Sequence, residues 1–157
     1  MSAELPRSAQ RVAAALAAAG LAVEVVELPD SARTAPEAAA ALGVAQGAIV
    51  KSLVFRVGET PLLALVSGDR RADERKLAAL AGGEPARADA AYVRAVTGYA
   101  IGGVPPLGHA APLRTVMDGG LWRFGQVWAA AGTPHAVFGV APDELARAVG
   151  AAPAELT

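Results

Sequence analysis

Only two of the 14 basic residues are lysines, and one of them, Lys51, stands in the most apolar strand-like stretch, Ala48 to Val57 (AIVKSLVFRV). Period-two alternation puts it on the face shared by Ile49, Leu53 and Phe55. An ammonium on a core-directed face is costly unless its tip reaches a polar cavity, a partner or a ligand. A lysine near a strand end that snorkels to solvent satisfies the same pattern. Spacing leaves both readings open. A second signal is the segment Tyr99 to His109, which contains Gly102-Gly103-Val104-Pro105-Pro106-Leu107-Gly108. Adjacent glycines let backbone N–H groups approach a ligand closely, and two prolines hold the turn rigid. Such a loop suits a preformed cradle for a carbonyl or carboxylate oxygen. It also suits a stiff connection, and it matches neither a P-loop nor a dinucleotide fingerprint.

His109 and His135 are the only histidines, and the chain has no cysteine. Two distant histidines without an acidic cluster make a poor metal site, so no metal is expected. His109 is expected to face solvent after the loop. His135 follows Gly132-Thr133-Pro134 at a strand start, where it can edge a pocket. The cluster Asp69-Arg70-Arg71 with Arg75 and Lys76 mixes both signs and reads as a solvated face, with Arg70 and Arg71 available to phosphate. Ser52, Ser67 and Thr115 show no spacing that recommends a catalytic triad, which is defined in space. Trp122 and Trp128 flank Phe124 and read as core packing.

The elements that must position these residues alternate helices with hairpins. A helix is expected from about Ala9 to Ala19, stopped by Gly20, then a strand from Leu21 to Leu28. Thr34-Ala35-Pro36-Glu37 is a capping box for a helix to Leu42. The strand Ala48 to Val57 turns at Gly58-Glu59 into Leu62 to Ser67. Asp73 caps a helix to Ala81, and Asp89 caps another from Ala90 to Val96. Strands follow at Leu113 to Met117, Gly125 to Ala131 and His135 to Val140, and Pro142 opens a last helix to Val149. This order predicts an α+β fold with a mixed sheet, in one domain over 1–157.

Composition agrees with a packed domain. The chain has 157 residues, of which 54% are hydrophobic, 18% charged and only 4% aromatic, so small aliphatic side chains must build the core. No run of about 20 residues lacks charges or turn formers, which argues against a membrane span. Arg7 and Arg11 ahead of an Ala-rich stretch loosely mimic a signal peptide, but Glu4 and the weak apolarity of alanine favour an amphipathic helix. A cytoplasmic location is expected. The formal net charge of −1 excludes a long electrostatic grip on nucleic acid, and no recognition helix for DNA is present.

Several of these pieces recur together elsewhere. Thr34-Ala35-Pro36-Glu37 through Leu42-Gly43, then Ile49-Val50-Lys51-Ser52-Leu53-Val54-Phe55, Ser67-Gly68-Asp69, Leu77-Ala78-Ala79-Leu80, Thr97-Gly98-Tyr99 through Gly108 and Ala141-Pro142-Asp143-Glu144-Leu145 stand in the order of one family. The chain resembles the YbaK family, the aminoacyl-tRNA deacylases related to the editing insertion domain of bacterial prolyl-tRNA synthetase. The resemblance implies a central mixed, partly barrel-like sheet flanked by short helices. It implies a trans-editing hydrolase that cleaves the ester between a wrong amino acid and the terminal ribose, without metal or organic cofactor. It places Lys51 in the pocket for the 3′ end and the Gly102 to Pro106 loop around the substrate carbonyl.

The site implied is therefore Lys51, Gly102 and Gly103 as catalytic groups, with Ser52, Pro105, Pro106, Gly108 and His135 binding substrate. The implied partners are the 3′ end of an aminoacyl-tRNA and a synthetase such as prolyl-tRNA synthetase. Relatives specific for cysteinyl-tRNA carry a serine near Ala130 and an acid near Val137. Both positions are apolar here, so a small amino acid such as alanine, serine or threonine is expected instead. Two alternatives compete: a non-catalytic tRNA- or synthetase-binding module of the same fold, and a hydrolase of another small ester.

Overall fold

The computed structural model describes residues 5–157. Glu4, whose charge entered the argument about the N-terminus, lies outside them. In chain order the elements are α1 (Arg7–Ala18), β1 (Val25–Glu27), α2 (Ala35–Leu42), β2 (Val50–Val57), β3 (Thr60–Ser67), α3 (Glu74–Ala81) and β4 (Pro85–Arg87). There follow α4 (Ala90–Thr97), β5 (Arg114–Asp118), β6 (Val127–Ala130), β7 (Ala136–Val140), α5 (Pro142–Val149) and β8 (Pro153–Ala154). The architecture is α+β, as expected.

Local chemistry explains most of these boundaries. α1 is amphipathic and buries Ala9, Val12 and Leu16 along one stripe. α2 opens on the full capping box: the Glu37 N–H donates to Thr34 Oγ1 at 3.3 Å, and the Thr34 N–H donates to Glu37 Oε1 at 3.1 Å. It ends at Gly43 in the left-handed region, φ +70°. Asp73 and Asp89 cap α3 and α4 through their side chains. Replacing Thr34 by alanine is expected to cost about 1 kcal/mol. Since Thr34 also borders the main cleft, the variant should raise KM for any substrate held there, measured alongside urea unfolding.

β2 and β3 form a two-residue hairpin whose register runs from Val50 opposite Ser67 to Val57 opposite Thr60. They sit in a five-stranded sheet of order β4-β2-β3-β5-β8, with β5 parallel to β3. β1, β7 and β6 form a separate antiparallel sheet in that order. The main core, including Leu63, Leu65, Met117, Val127 and Phe138, joins the two sheets. A second cluster, including Phe55, Leu62, Leu77 and Leu156, covers the other face of the larger sheet. Burying each such side chain fully is worth roughly 1.5–3 kcal/mol.

The barrel-like expectation needs correction, because the sheets do not close. They meet through one parallel bridge, Ile49 to Trp128. Further along β2, β4 pairs only with Phe55, Arg56 and Val57. The reason is local: β4 ends after three residues, since Asp89 turns the chain into α4. Between the bridge and Phe55, the outer edge of β2 has no strand beside it among the described residues. That gap becomes the site.

The first strand is shorter than its alternating pattern implied, pairing only at Val25 to Glu27. The strand expected over Gly125 to Ala131 pairs only at Val127 to Ala130. No described helix is long and apolar enough to cross a membrane.

Candidate active site

A cleft of about 270 Å³ opens at the unpaired edge of β2. Its floor is the run Ile49 to Leu53; one wall is Ala32 to Ala35 with Ala38, and the other is Trp128, Ala130, Pro134 and Val137. Ile101, Gly102 and Val104 form the rim. A smaller chamber of about 150 Å³ continues past the same rim, bounded by Ser52 to Phe55, Arg87, Ala88 and Val93. Ser52, Leu53, Ile101, Gly102 and Val104 border both chambers. The cleft is mainly apolar, with cationic groups placed around it.

Lys51 supplies one of these. It is half-buried, and its Nζ donates to the carbonyl of Arg70. Burial lowers its pKa below the ordinary lysine value; the nearby guanidinium of Arg71 lowers it further, Asp69 opposes this, and Arg87 adds a smaller push downward. Asp69 offers little relief, because both its oxygens are held by Arg123, at 2.8 and 3.2 Å. That pair holds the Asp69 carboxyl below its usual range. Arg71 and Arg87 form no salt bridge or side-chain hydrogen bond among the described residues. Three cations thus gather near one edge of β2 without a carboxylate of their own.

The glycine-proline loop from Tyr99 to His109 is tied back by hydrogen bonds. Its ends are stapled: the Tyr99 hydroxyl donates to the Gly108 carbonyl at 3.0 Å, and the Ala110 N–H donates to Thr97 at 2.9 Å. His109 is not the solvent-facing residue expected. It is half-buried, and its Nε2 lies 2.7 Å from the Pro105 carbonyl, so that nitrogen carries the proton and donates. Burial lowers the His109 pKa, and this hydrogen bond partly offsets the shift. Gly103 is packed against the backbone of Gly132 and Thr133, accepts from the Gly132 N–H at 2.9 Å, and donates its own N–H to Ala100 at 3.0 Å. The Gly103 N–H is therefore committed within the loop.

The structure brings Lys51, Ser52 and Gly102 to one cleft. Gly103 lies directly behind Gly102 as a packing residue. Pro105 and Pro106 are buried in the loop interior, and Pro106 and Gly108 border a separate, shallow depression with His109. His135 stands beside Pro134 without bordering the cleft, and its Nδ1 is buried with no hydrogen-bond partner among the described residues. Ala130 and Val137, singled out in the sequence as apolar, do border the cleft, whereas Ala32 and Ala38 of the opposite wall were missed, because a methyl group carries no chemical signal. It missed Arg87, which sits in a three-residue strand too short to read. Trp128, taken as core packing, is half-buried and borders the cleft. Trp122 does pack against the main core, and its indole N–H donates to Asp143 at 2.6 Å.

Comparison with known proteins identifies this arrangement. The model of the aminoacyl-tRNA editing domain matches residues 29–148, which contain the whole cleft. The chain belongs to the aminoacyl-tRNA editing domain family. Its enzyme class is accordingly aminoacyl-tRNA deacylase. A solved structure of a proposed trans-editing enzyme for prolyl tRNA synthetase is 48% identical, covering 98% of this chain and 99% of that one, with a TM-score of 0.95. The uncharacterized protein YwhH of Bacillus subtilis (strain 168) is 33% identical over 125 residues, 79% of this chain and 80% of its own. The proline–tRNA ligase of Maridesulfovibrio salexigens is 40% identical over 88 residues, 55% of this chain but only 15% of the ligase. The editing domain here thus corresponds to a small part of that synthetase.

Proposed function

We propose that this editing domain acts in trans, hydrolysing a small wrong amino acid from tRNA(Pro) or a closely related tRNA. The observation that carries this reading is the two-chamber cleft on the open edge of β2, with Lys51 and Ser52 in its floor. The apolar chamber between Ala38 and Ala130 suits a small side chain. The cations near Lys51, Arg71 and Arg87, suit the phosphates that lead into the terminal ribose. A local cluster of this kind reconciles a formal net charge of −1 with a nucleic-acid substrate. Prolyl-tRNA synthetase is the partner that would deliver it.

The chemistry is ester hydrolysis. Water adds to the acyl carbonyl carbon, the carbon–oxygen bond to the ribose breaks, and the ribose oxygen takes a proton from the attacking water. The products are a free amino acid and an uncharged 3′ end. An activated ester needs positioning and carbonyl polarisation. In this reading Lys51 holds the 3′ nucleotide, and Gly102, at φ +94°, lets the loop backbone approach the carbonyl.

The test is a deacylation panel of alanyl-, seryl-, threonyl- and cysteinyl-tRNA(Pro). Rapid loss of one or two species with a small side chain is the expected result. Binding of tRNA without turnover of any of them would favour an escort module. Cleavage of small esters that uncharged tRNA does not inhibit would favour a hydrolase unrelated to tRNA.

A further inference from the structure

The open edge of β2 has a polarity that can be worked out. Val57 and Thr60 close a two-residue hairpin, so they are a hydrogen-bonded pair, and alternate residues back along β2 (Phe55, Leu53, Lys51) turn their backbone groups toward β3. The intervening residues turn theirs outward. This is confirmed at Val54, whose carbonyl accepts from the Ala88 N–H at 3.4 Å on the β4 side. Ser52 and Val50 therefore also present N–H and C=O to the outer edge. Val50 adjoins the Ile49 to Trp128 bridge, and Val54 is taken by Ala88. Ser52 lies midway, at the junction of the two chambers, with no strand opposite among the described residues. Its hydroxyl is also buried and without a hydrogen-bond partner among the described residues. Leaving a buried hydroxyl unpaired is costly, and here it stands on the same residue whose backbone N–H and C=O face the open edge.

We infer that the Ser52 backbone is the aminoacyl recognition element: its C=O accepts from the substrate α-ammonium and its N–H donates to the ester carbonyl oxygen. In an antiparallel hydrogen-bonded pair, two facing residues exchange both N–H···O bonds. An aminoacyl ester carries the same donor and acceptor on one residue. The gap between the Trp128 bridge and Ala88 admits one residue, since each flanking outward position is about 6.6 Å along the strand. The aminoacyl group pairs with β2 as a one-residue strand. Its side chain is then directed to a face of the sheet, and its ester carbonyl meets a fixed donor that strengthens as negative charge develops on the oxygen. The Gly103 N–H, spent on Ala100, is not needed for that task.

This inference rests on the deacylase reading, and its test separates the two. Ser52→Pro removes an N–H that the β2–β3 ladder does not use, at an edge where proline is tolerated; Ser52→Ala is the reference that removes the hydroxyl alone. Ser52→Pro is expected to deacylate alanyl-tRNA(Pro) about a hundredfold more slowly than Ser52→Ala, with equal affinity for uncharged tRNA. Wild type is expected to hydrolyse alanyl-tRNA(Pro) at least about tenfold faster than propionyl-tRNA(Pro), which lacks the α-ammonium. Rates for the two variants within about threefold, or equal wild-type rates on the two acyl groups, would overturn it. If Ser52→Pro does not fold, the substrate pair decides alone. If wild type turns over neither substrate, the deacylase reading fails. Calorimetry with 3′-deoxy-3′-(alanylamino)adenosine against its propionylamino counterpart then decides: tighter binding of the first supports the Ser52 assignment, and equal or no binding overturns it.

Discussion

Lys51→Ala is expected to lower kcat/KM for the edited aminoacyl-tRNA by about 10²-fold, because losing the cation that holds the 3′ nucleotide misplaces the ester in the cleft. The same variant should not lose stability. Burial depresses the Lys51 pKa, so the folded state binds that proton less tightly than the unfolded chain does. Stability contributed by this group therefore rises as pH passes upward through its folded value, and the charged lysine is a burden below it. Removing the side chain removes that burden, at the expense of one hydrogen bond to Arg70 on an exposed turn. Activity measured against the thermal midpoint checks both halves: a lysine that served only packing would lose stability before activity. For the same reason, the lysine charge should be lost on the alkaline side earlier than for a free lysine. The Lys51-dependent part of the rate should fall with it.

Gly103→Ala should be nearly as damaging, by a different route. A Cβ at this position would stand 2.8 Å from the Gly132 carbonyl oxygen, 2.9 Å from its carbon and 2.9 Å from the Thr133 Cα. All three are backbone atoms, so no rotamer change relieves the contact. Overpacking of this kind costs about 1–3 kcal/mol. It also separates Gly103 from the Gly132 N–H that bonds to it at 2.9 Å. The loop must swing outward, carrying Ile101 and Gly102 off the rim they form between the two chambers. The expected result is a thermal midpoint lower by about 2–12 °C and a fall in kcat/KM of at least about tenfold. Gly125→Ala is the control, because a Cβ there meets nothing within 4 Å. It should change neither quantity.

Lys51 was legible because a lone lysine in an apolar alternating run is a conflict between local pattern and burial. The structure resolves that conflict by placing it at the edge of a cleft. The capping box at Thr34 and the Asp caps at Asp73 and Asp89 were legible too, since each is a local contact between residues two or three apart. What could not be read was non-local. Nothing in the alternation of Arg114 to Asp118 says that it runs parallel to β3, or that β7 lies between β1 and β6. The gap in the sheet follows from how far β4 extends before Asp89 turns the chain, and β4 has only three residues to announce itself. His109 was misjudged for a similar reason. Its burial depends on a carbonyl four residues back, in a loop without periodicity.

The walls of the larger chamber carry one further implication, for how this specificity can change by descent. Ala32, Ala35, Ala38 and Ala130 present only methyl groups to the cavity. Every substitution among them except glycine adds volume to the wall and takes it from the ligand, at about 1–3 kcal/mol of discrimination per methylene. Single mutations can therefore narrow the range of accepted amino acids by many routes and widen it by very few. A duplicated copy of this gene would drift toward smaller substrates far more readily than toward larger ones, while the floor of the cleft on β2 stayed the same.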